Sequence, residues 1–454
     1  MAVVVRSSGD GARHAHPDEW DERVVDLVAF VEEARGLRFD HPVFVDFLSE
    51  EDYRASATTD DRSLPEEDRE AYEREGATLR ALGLAAGEMD LREAIDALAG
   101  GGTLAYYDPE DGRVRVRGTE LTVGVRATLV HELTHALQDQ AFDLRRVGGD
   151  DLDDPEQLAL RSVVEGDATR IELRYVDQVL GAEGRAAYED ERRQAVEAGA
   201  DDTAAVPGAI VAGFATPYLL GAPFVMLLDA AGGNAAVDEA LRDPSATEEH
   251  LFDPTSHLAG DGAAALDLDL ADDEVLDDGF FGPTSWFLVL AEHLDPFVAL
   301  EAALGWAGDG YAALERDGTL CVRAAFAGDA PEDEAQMADA LEAWVAALGD
   351  DRARLLEVDG HPGFEACDPG PDAELELTDR SRDALALPSV RGYLVASFAT
   401  YAPGPRDATG ATCFADAVLA QLTWEDLTDP ERAVFAGEAF QELMVDAMLG
   451  CIRA

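Results

Sequence analysis

The 454-residue chain contains no lysine, so its 34 basic residues are all arginine, and they stand against 95 acidic residues. The formal net charge is −61, with acidic residues spread along the whole chain. Because no basic face exists to neutralise phosphates, the composition argues against nucleic acid or an anionic membrane as a partner. Salt near 1 M shortens the screening length to about 3 Å and relieves such self-repulsion. The composition is therefore typical of a protein adapted to high salt.

Long hydrophobic runs are also missing. No stretch in the sequence reaches the roughly 20 apolar residues that a membrane helix needs, so we predict no membrane-spanning segment. Residues 1–20 lack the basic-then-apolar pattern of a signal peptide, which favours a cytoplasmic location. Hydrophobic residues still make up 47% of the chain, which is enough to form cores and argues against global disorder.

The chain has only four cysteines, and all lie in its last third. No CxxC pair occurs, which argues against a structural zinc knuckle. Two disulfides, Cys321–Cys367 and Cys413–Cys451, fit the count as well as buried free thiols do. Disulfides would indicate an oxidising compartment outside the cytoplasm, so the sequence leaves the location open.

The predicted fold class is α+β and mainly helical. We expect a larger domain with a small sheet over residues 18–304 and a smaller C-terminal α+β or helical domain over 305–454. The strand at 113–117 alternates Arg and Val, which predicts an exposed edge strand. Residues 243–278 are acidic and weakly patterned, which predicts a surface excursion. Apolar periodicity predicts helices that include 121–142, 155–179, 217–230 and 332–348.

One motif carries chemistry: the sequence His-Glu-Leu-Thr-His at 131–135. Histidines four residues apart share one face of a helix and can bind one metal ion. Glu132, beside the first His, can take a proton from a water molecule that the metal polarises. An ordinary surface helix with two histidines is the alternative. The apolar run before the motif, and the hairpin predicted from two short strands at 103–107 and 113–117, disfavour it.

Two histidines need a third protein ligand, with a fourth position left for water. Glu165 is the best candidate, because it lies on a helix whose neighbouring turn is apolar and a carboxylate there needs a partner. On helical pattern alone, a surface glutamate explains Glu165 equally well. Six of the seven other histidines lie in scattered contexts that predict surface or partly satisfied roles rather than ligand roles: His14, His16, His250, His257, His293 and His361.

The motif resembles the first metal-binding helix of the gluzincins, the thermolysin-like clan of zinc metallopeptidases. Glu-Gly-Asp-Ala at 165–168 is similar to the segment that carries the third zinc ligand in the clan's aminopeptidases. Tyr-Leu-Leu-Gly-Ala at 218–222 resembles the helix that supplies their transition-state tyrosine. The resemblance extends over about 18–304 to uncharacterised metallopeptidase-like proteins of bacteria and archaea. It implies a zincin-like domain and a Zn²⁺ ion, with these site residues: His131, His135 and Glu165 as ligands, Glu132 as general base and Tyr218 as oxyanion donor.

Two departures from the clan limit what the resemblance implies. The 29 residues between His135 and Glu165 exceed the usual gap, which predicts an acidic insertion at 143–155. The amine-binding Gly-x-Met-Glu-Asn segment of the aminopeptidases is replaced by Leu-Ala-Tyr-Tyr at 104–107. We therefore expect a zinc-dependent peptidase acting on a peptide or protein, with endopeptidase or short-peptide activity equally open. The alternatives are hydrolysis of a non-peptide amide and a catalytically inactive binding or surface protein, and for Tyr218 a buried core tyrosine.

Overall fold

The computed structural model has two mixed sheets within a mainly helical α+β fold. Residues 1–13 of the N-terminal segment used for the leader prediction and residues 148–153 of the predicted insertion lie outside the described residues. The structure describes residues 14–57, 66–100, 103–147, 154–244, 246–270, 273–349, 351–402, 407–429, 432 and 434–452.

Helices dominate the described part of the chain. The helices up to the end of the predicted metal-binding domain are α1 Val25–Arg35, α2 Glu50–Ala57, α3 Glu66–Ala81, α4 Leu91–Gly100, α5 Val123–Phe142, α6 Asp154–Gln178, α7 Gly181–Thr203, α8 Gly208–Gly232, α9 Asn234–Arg242, α10 Glu248–Phe252, α11 Pro254–Ala259, α12 Pro283–His293 and α13 Pro296–Ala303. The remaining helices are α14 Pro331–Leu348, α15 Ser381–Ala384, α16 Ala386–Tyr401, α17 Ala408–Leu419, α18 Trp424–Thr428 and α19 Glu438–Cys451.

The strands form a three-stranded sheet of order β1-β3-β2 and a six-stranded sheet in which β4, β6, β7, β9 and β8 are neighbours and β5 pairs with β6. Their bounds are β1 Phe44–Leu48, β2 Ala105–Asp108, β3 Arg113–Arg117, β4 Ala264–Ala265, β5 Glu274–Gly279, β6 Trp306–Arg316, β7 Thr319–Gly328, β8 Ala353–Val358 and β9 His361–Cys367.

The predicted edge position of β3 is wrong, because β3 is the central strand, paired in parallel with β1 and antiparallel with β2. Val114 and Val116 are fully buried, as the alternation requires. The arginines on the other face are neutralised by nearby acids: Arg113 binds Asp46 at 2.7 Å. Ion pairs with acids on β1 and on the neighbouring loops and helices, rather than solvent, therefore explain the charged face.

The start predicted for α8 is also wrong. Thr216 and Pro217 were expected to begin a helix, but α8 begins at Gly208 and runs unbroken through Pro217 and Pro223. Pro223 has no N–H for the carbonyl of Leu219 four residues earlier. That carbonyl accepts a hydrogen bond from the hydroxyl of Ser389 on α16, at 2.8 Å. Tertiary packing thus replaces a backbone hydrogen bond that the proline removes.

The helices α6 and α8 approach each other closely at two glycines. A Cβ on Gly166 would lie 2.3 Å from the Gly221 oxygen, and one on Gly221 would lie 2.0 Å from the Ser162 oxygen. Any larger residue would therefore force the helices apart. The contact holds Glu165 of α6 close to Tyr218 of α8.

Two large buried clusters stabilise the fold. One joins the three-stranded sheet to α1, α5 and α6. The larger cluster includes residues on both sides of Leu304, such as Trp286 and Trp344. The domain boundary predicted at this residue stays a prediction. The surface excursion predicted at 243–278 is wrong for its first half, because Leu251 and Phe252 on α10 are buried in this cluster.

Among the described residues, α8 alone is long and apolar enough to be considered a membrane span, although no such stretch was predicted. However, 61% of its most apolar window is buried, and it contacts both α6 and α16. This is weak evidence for a span, since core helices have the same composition.

The four cysteines lie in two pairs at disulfide distance, Cys321–Cys367 and Cys413–Cys451. This is the pairing that the spacing allowed. The first pair joins β7 to β9, and the second joins α17 to α19.

Candidate metal centre

The structure brings together the three residues predicted as metal ligands. His131 and His135 project from α5, and Glu165 projects from α6. Each imidazole Nε2 lies 3.3 Å from the same carboxylate oxygen of Glu165, and the candidate ligand atoms of the three residues all lie within 4.8 Å of one another. All three side chains are largely buried. The cluster is the only such group of three found among the described residues.

A second layer of residues fixes the orientation of both imidazoles. The Nδ1 of His131 lies 3.2 Å from Glu172, which also accepts a hydrogen bond from Tyr188 at 2.9 Å. The Nδ1 of His135 lies 3.0 Å from the amide oxygen of Gln138. Both partners accept hydrogen bonds, so each Nδ1 carries a proton.

The side-chain amide of Gln138 is itself held in place. Its nitrogen donates to the Val164 carbonyl at 3.2 Å and to the Asp167 carboxylate at 2.8 Å. Asp167 is fully buried and forms an ion pair with Arg35 at 2.9 Å. These bonds turn the amide oxygen, and not the nitrogen, toward His135.

The arrangement places three acceptors around one point. With Nδ1 protonated, each neutral imidazole presents the lone pair of Nε2. Glu165 adds a carboxylate oxygen at the same point. Acceptors that converge without a donor require a positive charge between them, which is either a proton or a metal ion.

The pKa values of the candidate ligands reflect this need for a positive charge. Burial lowers the pKa of His131, but its hydrogen bonds with Glu165 and Glu172 outweigh burial and hold that pKa well above its usual value. Burial would raise the pKa of Glu165, yet the charge of His135 and the bonds with both histidines hold it well below its usual range. Protons bound here must be released when a metal binds, so metal affinity should fall with decreasing pH.

Glu132 lies next to this cluster but is held separately. It is 7% exposed, and its Oε2 accepts a hydrogen bond from the backbone N–H of Tyr107 on β2 at 2.7 Å. Burial raises the pKa of Glu132 from its usual value, which moves it toward the range of an effective general base. The edge strand β2 therefore orients the residue predicted as base.

Tyr218 also lies beside the cluster, with its ring 6.5 Å from that of His131. Its side chain is 36% exposed, so the alternative of a fully buried core tyrosine does not hold. The negative charge of Glu165 is the main cause that raises the pKa of Tyr218 well above its usual value. The phenol therefore keeps its proton and can donate a hydrogen bond.

The sequence prediction missed the residues of the second layer, although periodicity contained a signal for some of them. Glu172 lies seven residues after Glu165, on the same face of α6. Gln138 lies three residues after His135. The contact of Tyr107 with Glu132 could not be predicted, because it depends on how the sheet is placed against α5.

The histidines outside the motif do not join the cluster. The Nε2 of His250 lies 3.0 Å from the carbonyl of Asp261, and the Thr247 N–H donates to its Nδ1. His293 binds the Gly83 carbonyl, and His361 binds Glu334. The rings of His16 and His41 stack at 4.4 Å.

No family model, curated protein or solved structure matches this chain. The resemblance to the gluzincins therefore rests on the three quoted motifs alone and stays a prediction.

Proposed function

We propose that the protein is a zinc-dependent hydrolase that cleaves peptide bonds. The observation that supports this most strongly is the convergence of two imidazole Nε2 atoms and a carboxylate oxygen, with each Nδ1 bound to its own acceptor. Second-layer acceptors of this kind orient metal-binding histidines in proteins.

The donor set fits zinc. Two imidazoles and one carboxylate form a set found in catalytic zinc sites, where a fourth position stays open. Zinc bound there would lower the pKa of water toward neutrality and polarise a carbonyl group. We propose His131, His135 and Glu165 as the residues that would hold it.

The remaining chemistry belongs to residues of the chain. Glu132 takes a proton from the attacking water, and the N–H of Tyr107 holds its carboxylate in place. The Glu132 carboxyl then returns a proton to the leaving amine. Tyr218 keeps its proton and donates a hydrogen bond from its phenol O–H to the oxyanion that develops on the substrate carbonyl.

The test is Glu132→Gln, assayed on a diverse peptide library in high salt with zinc. We expect turnover to fall by about 10²–10⁴-fold, because a general base contributes that much. Zinc content should stay at the wild-type level, since Glu132 is not among the proposed ligands. The matched control is Glu120→Gln, the same change at an exposed residue close to the start of α5.

Unchanged turnover in Glu132→Gln would rule out the proposed base. A wild-type protein that binds zinc and cleaves no peptide would favour the inactive binding protein instead. Cleavage of non-peptide amides alone would keep the chemistry and change the substrate class.

A further inference from the structure

A cavity of about 610 Å³ lies at the C-terminal end of α5. Its lining includes Asp139, four residues after His135 and therefore on the same face of α5 as the candidate metal ligands. Four residues of helix rise about 6 Å. The cavity thus begins about one helical turn from the metal centre.

Tyr107 connects the cavity to the site. Its side chain lines the cavity and donates a hydrogen bond to Asp139 at 2.6 Å, while its backbone N–H binds Glu132. A substrate whose reacting carbonyl lies beside Glu132 would therefore extend past Tyr107 toward the cavity. At about 3.4 Å per extended residue, the cavity lies one to three residues from the cleaved bond.

The cavity is rich in basic side chains, which is unusual for a chain with 95 acidic residues. Two acids also line it, but both are engaged: Asp139 with Tyr107, and Asp143 with Arg145 at 2.8 Å. The basic and imidazole side chains of the lining are Arg145, Arg146, Arg242, His14, His16 and His41.

Arg146 differs from the other two arginines. Arg145 is paired with Asp143, and Arg242 is paired with Glu239 at 3.2 Å. Within the part of the chain that the structure describes, the hydrogen-bond partners of Arg146 are two backbone carbonyls, of Leu241 and Arg242, each at 3.3 Å. These bonds use one nitrogen of the guanidinium, Nη1, and among the described residues no carboxylate forms an ion pair with the other nitrogens.

We propose that this cavity is a substrate-recognition site for a carboxylate, with Arg146 as its specificity-determining residue. The inference rests on the proposed peptidase function. A planar guanidinium binds a carboxylate through two parallel hydrogen bonds. Such direct contact persists in high salt, where longer-range attraction is screened. The carboxylate belongs either to a Glu or Asp side chain or to the C-terminus of a short peptide.

The test compares peptides that differ only by Glu or Gln at each of three positions on either side of the cleaved bond. Each is made with a free or an amidated C-terminus. We expect kcat/KM to be about tenfold higher for the carboxylate form at one of these positions or at the C-terminus, the size of one charged hydrogen bond. Arg146→Gln should remove that preference by lowering kcat/KM for the carboxylate form to the value for the neutral form.

Two further variants separate recognition from folding. Arg146→Lys keeps the charge and can still donate to the two carbonyls, so it should retain part of the preference. Arg185→Gln removes an exposed arginine that is paired with Asp177 on the neighbouring helix, and should keep the full preference. A wild type that cleaves Glu and Gln peptides equally, or an Arg146→Gln protein with the wild-type preference, would overturn the proposal.

Binding to Glu132→Gln protein keeps the inference testable without turnover. Fluorescence anisotropy with the same peptides, carrying a neutral dye, should show about tenfold tighter binding of the carboxylate form. The double variant Glu132→Gln, Arg146→Gln should bind both forms equally. Equal binding by the single variant would overturn the carboxylate site. A wild type that cleaves no peptide, with discrimination retained in the binding assay, would overturn only the peptidase function.

Discussion

Two regions of this protein bury acidic side chains in opposite ways. On β6, Asp309 is fully buried, and four donors surround it at 2.8–2.9 Å. The donors are the backbone N–H groups of Phe281 and Gly282 and the indoles of Trp286 and Trp306. At the other site, Glu165 faces two histidine nitrogens that present lone pairs.

The difference separates a carboxylate that stabilises the fold, Asp309, from one that can bind a metal ion, Glu165. Asp309 has all the donors that it needs and leaves nothing for an external ion to do. The Glu165 cluster needs a positive charge that the second layer does not supply, and either a proton on a histidine or a metal ion provides it. Burial of a carboxylate therefore indicates a metal site only when the groups around it are acceptors.

Removing the structural acid should cause the largest loss of stability. Asp309→Ala leaves two backbone and two indole N–H groups buried without an acceptor, so we expect the free energy of unfolding to fall by about 3–5 kcal/mol. Urea unfolding followed by tryptophan fluorescence measures it. Zinc content should match the wild type in the folded protein.

The control is Asp372→Ala, the same change at an exposed position. A change below about 0.5 kcal/mol is expected there. If Asp309→Ala proved equally mild, the four hydrogen bonds would not stabilise the fold as described.

A substitution in the second layer of the metal site should change the affinity for zinc more than the free energy of unfolding. Glu172→Gln keeps an acceptor for the His131 Nδ1 proton but removes the charge that makes this imidazole a better ligand. We expect zinc affinity to fall by about 10-fold, at the lower end for second-layer residues. Competition with a chelator measures it, and exposed Glu183→Gln on α7 is the control. Equal affinity in both variants would remove Glu172 from the site.

A third buried acid, Glu249, differs from both Asp309 and Glu165. Glu249 is 4% exposed, and its Oε2 has no hydrogen-bond partner among the described residues. Burial first, and then the charges of Asp329, Asp261 and Asp253, raise the pKa of Glu249 to about 8. Below that pH the Glu249 carboxyl group is protonated and neutral, so its burial does not bury a charge.

A raised pKa in the folded state means that stability is lost as pH increases. The contribution of Glu249 is full below the usual glutamate pKa and disappears as pH rises through about 8. Between pH 6 and 9 the wild type should therefore lose about 2–3 kcal/mol of unfolding free energy that Glu249→Gln does not lose, since each of the two pH units between 6 and 8 corresponds to about 1.4 kcal/mol. Urea unfolding at the two pH values tests this, and parallel losses in both proteins would contradict it.

The candidate metal cluster was predictable because it depends on local periodicity. The spacing of His131 and His135 places them on one face of a helix whatever the rest of the chain does. The pattern around Glu165 was less decisive, because an apolar neighbouring turn fits a buried ligand and a surface glutamate equally well. The structure brings these three together as the sequence predicts.

Features that depend on tertiary contacts were not predictable. Pro217 and Pro223 normally end or bend helices, yet α8 continues because Ser389 satisfies the carbonyl that Pro223 leaves free. The charged face of β3 indicates an edge strand until Asp46 is seen to pair with Arg113. In both cases the deciding partner lies far away in the sequence.

The most direct test of the metal centre is the zinc content of protein loaded with zinc and then desalted, measured for the wild type and for His131→Ala. The control is His250→Ala, because His250 is also buried but both of its ring nitrogens have hydrogen-bond partners. We predict about one zinc per chain in the wild type and in His250→Ala, and little or none in His131→Ala. Full zinc occupancy in His131→Ala, or a wild type that holds no zinc, would contradict the proposed site.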